Sequence, residues 1–140
     1  MKRLNQNLFK FILIFFLTLS NLAFSETKII SYNAIEVGVT DGDSLRFGKE
    51  RIRLLGIDAP EIKQICNDKF KKPYACGEEA KKNLDGLILS ASELKKKIYC
   101  YYSERDKYNR ILGECFWGEA KKININSFMV LLGHAIAYLR

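Results

Sequence analysis

The chain has little proline, one histidine, and no repeat or low-complexity tract. Only 2 of its 140 residues are proline, and no stretch rich in proline, glycine or serine interrupts it. Because such stretches mark the linkers between domains, nothing in the sequence indicates a domain boundary. The lone histidine, His134, is expected to be a structural or surface residue.

The N-terminus lacks an apolar run long enough to span a bilayer, which takes about 20 residues. A basic stretch precedes an apolar run over residues 11–24, and small residues on both sides of Phe24 suit a signal peptidase. We predict that residues 1–25 are a signal peptide and that residues 26–140 are exported to the periplasm or the medium. No stable membrane association is expected after cleavage; an uncleaved anchor is the alternative.

The cysteines lack the close spacing of a zinc site. Cys66, Cys76, Cys100 and Cys115 contain no CxxC pair and lie far in sequence from His134. An even number of cysteines in an exported chain favours two disulfides instead. The pairs 66–76 and 100–115 are predicted, because the first two flank a long loop and the others lie on two strands joined by a hairpin.

The predicted mature chain is mildly basic. Cleavage lowers the number of Lys and Arg residues from 23 to 20, against 16 acidic residues, so the net charge is +4. A positive field favours an anionic polymer such as nucleic acid. Charge of this size also serves ordinary solubility, so it supports a nucleic-acid partner without deciding the question.

Hydrophobic patterns predict a mainly β domain. Strands are expected at residues 35–39, 44–47, 51–57, 98–102 and 111–117. Helical spacing indicates one helix from about Glu78 to Ser90 and a second one capped by Asn124, with a stripe of Ile125, Phe128, Met129 and Leu132 that ends at Gly133. Residues 62–76 are predicted to be a long irregular loop. These patterns alone leave a barrel as one of several α+β arrangements.

Two short segments bring acidic and basic residues close together in the sequence. Residues 41–43 read DGD, and residues 53–61 read RLLGIDAPE. Together they place four carboxylates, a guanidinium and a turn fixed by proline within about twenty positions. A site that binds a hard cation, activates water and neutralises a phosphodiester needs such groups. Each residue taken alone has an ordinary reading, because DGD is a common turn and a lone Glu or Arg is usually at the surface.

With DKYNR at residues 106–110, these segments resemble the staphylococcal nuclease family in order and spacing over most of the chain after residue 36. The resemblance implies an α+β, mainly β fold: a five-stranded OB-type barrel with two helices. Family members commonly continue into a further helix, so the resemblance also implies that residues 26–140 are a domain shortened at the C-terminus.

The resemblance assigns three catalytic residues. Arg53 and Arg110 match the two arginines that contact the scissile phosphate, where a planar guanidinium can hold two oxygens at once. Glu61 matches the glutamate that orients or deprotonates the attacking water. Whether Glu61 is a full general base or only positions the water stays open.

The resemblance also assigns a metal and substrate contacts. Asp43, Asp58 and the backbone carbonyl of Ala59 match calcium ligands, and oxygen donors are those that Ca²⁺ prefers. The family often has threonine at the position of Ala59, which should not matter if only the carbonyl binds. Three further residues are expected to contact the substrate: Lys107, Tyr108 and Tyr138.

One local departure from the family is Asn109, which stands where the family commonly has glycine. Asparagine tolerates a positive φ better than most residues, so the turn is expected to survive.

The expected function is therefore a secreted, monomeric, Ca²⁺-dependent nuclease that hydrolyses DNA and RNA and leaves 3′-phosphate ends. Two alternatives remain at this point. One is an OB-type nucleic-acid-binding module without catalysis, and the other is a decayed fragment.

Overall fold

The computed structural model describes residues 26–118 and 123–138. The predicted signal peptide lies outside these residues. The strands and helices along the chain are as follows: β1 Lys28–Asn33, β2 Val37–Asp41, β3 Ser44–Phe47, β4 Glu50–Leu54, β5 Ile57–Asp58, β6 Cys66–Asn67, β7 Pro73–Tyr74, α1 Cys76–Glu93, β8 Lys97–Tyr102, β9 Ile111–Trp117, β10 Ile123–Asn124, α2 Ile125–Leu131 and β11 Ile136–Ala137.

The main sheet is mixed and follows the order β1-β8-β9-β4-β3-β2, with β10 added to β9. All neighbours are antiparallel except β4 and β9, which are parallel. The two end strands, β1 and β2, are consecutive in the chain and are joined by a 3₁₀ turn, Ala34–Glu36. The sheet therefore bends back on itself at this turn, although within the described residues no ladder pairs β1 with β2.

The predicted fold class, a mainly β α+β fold of the OB type with two helices, is confirmed. Five strands were expected. The described residues contain more and shorter strands, and within them the main sheet does not close into a complete barrel. The strand expected at residues 35–39 was wrong at its start, since residues 34–36 form the 3₁₀ turn. The preceding strand β1 was missed: its residues are exposed or only half-buried, so its sequence shows little alternation.

The side chains of β4 alternate between the hydrophobic core and the opposite face of the sheet. Ile52 and Leu54 are buried, whereas Arg51 and Arg53 point to the other side of the sheet. Neighbouring strands extend the core side, where Phe47 and Ile111 have no exposed surface. The strand that forms the centre of the fold thus presents its arginines outward.

Helix α1 covers the core through a stripe at helical spacing. Ala80, Leu84, Ile88 and Ala91 are all buried. The helix runs from Cys76 to Glu93, longer at both ends than predicted, and the Cys66–Cys76 disulfide holds its first residue.

Helix α2 begins as predicted, with the Asn124 side chain accepting a hydrogen bond from the Ser127 amide at 3.0 Å. Gly133, at φ +76°, follows its end. The predicted stripe holds at Ile125 and Met129, but Leu132 is 44% exposed.

A buried amide on α2 was not foreseen. Asn126 donates to the carbonyls of Leu55 and Gly113 at 2.8 and 3.0 Å and accepts from the Cys115 amide at 3.0 Å. This residue locks α2 to β9 and to the turn after β4, since breaking its bonds would leave buried polar groups unpaired.

Both predicted disulfide pairs are present. Cys100 and Cys115 lie opposite each other on β8 and β9 and are fully buried. Cys66 and Cys76 join the start of a short β6–β7 hairpin to the first residue of α1. The predicted irregular loop over residues 62–76 is therefore corrected to a closed hairpin.

We predict that the two disulfides contribute unequally to stability. Each closes a short loop and restricts the unfolded chain, an effect worth roughly 2–4 kcal/mol. The Cys100→Ala/Cys115→Ala double variant should lose more of the free energy of unfolding than Cys66→Ala/Cys76→Ala, because it also removes core packing. Urea unfolding of both variants under the same conditions measures this. Equal losses would show that the buried pair adds nothing beyond its crosslink.

Candidate active site

One guanidinium joins the two carboxylates that the sequence singled out. Arg53 on β4 donates through Nη1 to Asp43 Oδ1 at 2.9 Å and through Nη2 to Asp58 Oδ1 at 2.5 Å. Asp43 precedes β3, the neighbour of β4, and Asp58 ends β5. Three residues from three different segments therefore meet beside β4.

The Asp43 carboxylate is buried and fully engaged. Only 3% of the residue is exposed. Besides Arg53, the Ser44 hydroxyl donates to Oδ1 at 3.0 Å and the Ala59 amide donates to Oδ2 at 3.1 Å. Burial raises the pKa of Asp43 to about 6, against the lowering effects of the Ala59 hydrogen bond and the Arg53 charge. The site thus holds a carboxylate whose charge is costly without a nearby cation.

Gly42 lets the DGD turn approach its neighbours. A Cβ at this position would lie 2.7 Å from the Cβ of Ala80 on α1 and 2.8 Å from the Cβ of Ala59. Any larger residue would push the turn away from both. The glycine therefore fixes the distance between Asp43, the helix and the segment that carries Asp58.

Glu61 lies in a separate turn beside the first residues of α1. Its amide donates to Gln64 Oε1 at 3.2 Å, and its carbonyl accepts from the Gln64 amide at 2.7 Å. A Cβ on Gly77 would lie 1.8 Å from the Glu61 carbonyl oxygen, so the backbone of Glu61 touches the helix. Its side chain is exposed and is not among those that line the cavity beside Arg53. Sequence analysis missed the roles of Gln64 and Gly77.

Arg110 is held by a turn of its own. Asp106 accepts from Arg110 Nε at 2.8 Å and from the Arg110 amide at 2.9 Å. Burial raises the pKa of Asp106, but these hydrogen bonds and one from the Tyr108 amide outweigh burial and lower it overall. Asn109 has φ +61°, which agrees with the expected turn geometry.

The parallel pairing of β4 and β9 sets the backbone position of Arg110 relative to Arg53. Arg53 is opposite Leu112, and Ile52 is opposite Ile111, so Arg110 directly precedes the residue paired with Ile52. Adjacent strands are ~4.8 Å apart and advance ~3.3 Å per residue. The backbone of Arg110 is therefore about two residues along and one strand across from that of Arg53.

Of the three residues expected at the substrate, two lie in the turn that holds Arg110. The Arg110 guanidinium is 5.6 Å from the centre of the Tyr108 ring, and Lys107 Nζ is 5.0 Å from it. The Arg51 side chain donates to the Tyr108 carbonyl at 2.7 Å, which ties this turn to β4.

Tyr138 is placed beside Arg53 by a strand pairing that the sequence did not indicate. β11 pairs with β5, so Ile136 is opposite Asp58, and the Tyr138 amide donates to the Gly56 carbonyl at 2.8 Å. Tyr138 shares with Arg53 and Asp58 the lining of a cavity of about 480 Å³. A half-exposed aromatic ring thus lies in the same cleft as the charged cluster.

The donor set is compatible with a hard cation. Within residues 26–118 and 123–138 no group of three or more acidic, histidine or cysteine side chains could hold a metal. Asp43 and Asp58 nevertheless converge on one positive group, the guanidinium of Arg53. Oxygen-only donors supplemented by a carbonyl and water suit Ca²⁺ better than a transition metal.

Comparison with known proteins identifies the family. A family model described as staphylococcal nuclease homologue matches residues 51–140. The chain belongs to this family. Asp43 lies before the matched range, so its place in the site rests on the geometry given above.

Individual relatives agree with this assignment. The succinoglycan biosynthesis protein ExoI of Rhizobium meliloti is 36% identical over 101 residues, which is 72% of this chain and 50% of that protein. An uncharacterized endonuclease of Escherichia coli is 34% identical over 106 residues, 73% of this chain and 58% of that protein. The chain thus spans about half the length of the curated relatives it matches.

None of the described helices is long and apolar enough to cross a membrane.

We predict that Gly77→Ala displaces Glu61, because the added methyl group cannot occupy the position of the Glu61 carbonyl oxygen. Activity on nucleic acid should fall at least tenfold, and stability should fall as well. Gly86→Ala on the same helix is the matched control, since a Cβ there meets nothing within 4 Å. That control should gain roughly 0.5–1 kcal/mol in stability and keep full activity. Equal activity in the two variants would contradict the positioning role of Gly77.

Because the pKa of Asp43 is raised, we predict that the free energy of unfolding depends on pH. Because the pKa of Asp43 is about 6 in the folded protein, against an ordinary value of 3.8, the folded form binds the proton more tightly. Stability attributable to this group is therefore present at low pH and is lost as pH rises from about 4 to 6.

Thermal melts in chelator should consequently show Asp43→Asn gaining stability relative to wild type between pH 4.5 and pH 7. An unchanged difference in Tm across that range would show that the carboxyl titrates normally.

Proposed function

We propose that this protein is an exported, Ca²⁺-dependent phosphodiesterase that cleaves DNA and RNA and leaves 3′-phosphate ends. The observation that carries the proposal is the cluster of Arg53, Asp43 and Asp58, of which Arg53 and Asp58 line a cleft that also contains Tyr138. This cluster combines a phosphate ligand with two cation ligands. Membership of the nuclease family supports the same reading.

Each arginine has a defined task in this reaction. The guanidinium of Arg53 has two Nη groups directed at carboxylate oxygens, and the same fork can hold two oxygens of a phosphodiester. Asp106 engages the Nε side of Arg110 and orients its Nη groups. Two fixed guanidinium groups stabilise the charge that develops on phosphorus in the transition state.

Glu61 acts on the water molecule that attacks phosphorus. Its carboxylate accepts a proton from water as the water oxygen bonds to phosphorus. The bond from phosphorus to the 5′ oxygen breaks, and the departing oxygen takes a proton from solvent. The products are a 3′-phosphate and a 5′-hydroxyl. A calcium ion held by Asp43, Asp58 and the Ala59 carbonyl would supply Lewis-acid stabilisation of the phosphate oxygens.

The remaining residues bind the substrate. Lys107 and Tyr108, in the turn beside Arg110, contact a neighbouring phosphate, and Tyr138 stacks on a base next to the scissile bond. These contacts read no base sequence, so cleavage follows strand opening rather than a recognition site.

Export fits the chemistry of the rest of the chain. Residues 1–25 act as the signal peptide, and the two disulfides form in an oxidising compartment. The released domain acts as a monomer in the periplasm or the medium.

A catalytically silent binding module is the second candidate, because an OB-type surface with aromatic and basic residues binds single strands without cleaving them. Retention of Arg53, Glu61 and Arg110 together favours the enzyme, since binding alone does not need that combination.

Replacing Arg53 by lysine should separate phosphate recognition from charge alone. Arg53→Lys keeps the positive charge beside Asp43 but loses the bidentate fork, so kcat on heat-denatured DNA should fall about 10²–10³-fold. Arg46→Lys, on the exposed side of the neighbouring strand β3, is the matched control and should retain full activity. Near-wild-type turnover in Arg53→Lys would rule out the proposed role.

A calorimetric titration tests the metal site apart from activity. Wild-type protein should bind Ca²⁺, and Asp43→Asn should bind it at least tenfold more weakly. Asp85→Asn is a suitable control, because Asp85 lies on the exposed face of α1 and pairs with Lys81. If all three proteins bind Ca²⁺ equally, Asp43 is not a ligand.

A further inference from the structure

The β6–β7 hairpin follows the turn of Glu61 directly in the chain. We call residues 62–75 the arm. Its base is closed by the Cys66–Cys76 disulfide and held by the contacts of Gln64 and Gly77 with Glu61. Anything that lies along the arm therefore approaches the turn of Glu61.

The arm concentrates the positive charge of the domain. Its 14 residues include four lysines and one acidic residue, a net charge of +3. Residues 26–140 as a whole carry 20 basic and 16 acidic residues, a net charge of +4. All four lysines are exposed: Lys63, Lys69, Lys71 and Lys72.

Apolar side chains are exposed among these lysines. Phe70 at the tip is 70% exposed, Ile65 is 62% exposed and Tyr74 is 39% exposed. Lys69 Nζ lies 5.0 Å from the centre of the Phe70 ring. An exposed ring surrounded by cations is the combination that proteins use to stack bases and hold the phosphates between them.

The tip is ordered by its own hydrogen bonds. Asp68 Oδ1 accepts from the amides of Phe70 and Lys72, both at 2.8 Å, and the Asp68 carbonyl accepts from Lys71 at 2.9 Å. The one acidic side chain of the arm is thus used to shape the turn. Phe70 and the lysines are presented in a fixed arrangement, which lowers the entropy cost of binding.

We propose that the arm binds a single strand of nucleic acid on one side of the scissile phosphate. The lysines contact backbone phosphates, and Phe70 stacks on a base. The identity of this strand as substrate rests on the proposed function; the binding itself does not.

The test measures binding of a fluorescent single-stranded 20-mer to the purified chain by anisotropy, with chelator present so that no cleavage occurs. Lys71→Gly/Lys72→Ala is the arm variant. Lys95→Gly/Lys97→Ala is its matched control, because Lys71 and Lys95 both have positive φ, where glycine is unstrained, and each pair removes two charges. The control pair follows the far end of α1, which is about 27 Å long.

The arm variant should bind at least tenfold more weakly and lose about 1.4 from the slope of log affinity against log salt, at ~0.7 per phosphate contact. The control should stay within twofold of wild type. Equal weakening in both variants would show that only net charge matters and would overturn the proposal.

Aromatic stacking is tested by a second pair that leaves the charge unchanged. Phe70→Leu should weaken binding roughly 5- to 150-fold, as expected for loss of one stacked base, whereas Phe70→Trp should retain it. Thermal melts establish that all variants are folded. Equal binding by the leucine and tryptophan variants would overturn the stacking role.

A membrane surface is the competing ligand for a basic, apolar tip. Sedimentation with vesicles containing 30% anionic phospholipid should show no difference between wild type and the arm variant. Arm-dependent vesicle binding combined with unchanged oligonucleotide binding would assign the arm to membranes instead. A wild-type protein that binds the 20-mer through the arm but cleaves no DNA with Ca²⁺ would overturn the proposed function and leave the arm proposal standing.

Discussion

The site depends on one constraint: a buried carboxylate must have a positive partner. Asp43 is almost without solvent contact, so its charge is unfavourable unless a cation lies beside it. Arg53 is that partner, and its second Nη group draws Asp58 to the same point. Three strands, β3, β4 and β5, are thereby fixed relative to one another at the place where a phosphodiester would bind.

Close backbone contacts place the rest of the site around this cluster. Gly42 brings the DGD turn against α1 and Ala59, and Gly77 brings the first turn of α1 against Glu61. The DGD turn and the turn of Glu61 therefore both contact the first turns of the same helix. The Cys66–Cys76 disulfide holds the same end of that helix to the arm, so a single helix start organises both the proposed nucleophile turn and the proposed strand contact.

Local patterns in the sequence predicted much of the fold. Alternation identified β3 and β4, helical spacing identified α1, and the Asn124 cap and both disulfide pairs were predicted correctly. These features succeed because each depends on neighbours in the chain or on a simple hairpin. β1 was missed because it lies at the edge of the sheet with four of its six residues exposed and none buried, so its sequence lacks an apolar face that would show a period.

The spatial relations of the site were less accessible. Sequence order and family resemblance identified Asp43, Arg53 and Asp58 as site residues. They did not predict that Arg53 bonds both carboxylates, because this contact depends on the folded sheet. The pairing of β11 with β5, which brings Tyr138 to the cleft, joins two-residue strands with no signal of their own. Gly77 and Gln64 were overlooked, since a close approach of two backbones leaves no pattern in one sequence.

The most direct test of the central claim is the mass of the products formed from a single-stranded oligonucleotide. Purified protein is incubated with it in Ca²⁺ or in excess chelator, and the fragments are measured by mass spectrometry. The account predicts fragments with 3′-phosphate and 5′-hydroxyl ends in Ca²⁺ and intact oligonucleotide in chelator. Intact oligonucleotide in Ca²⁺, or the same fragments in both conditions, would contradict it.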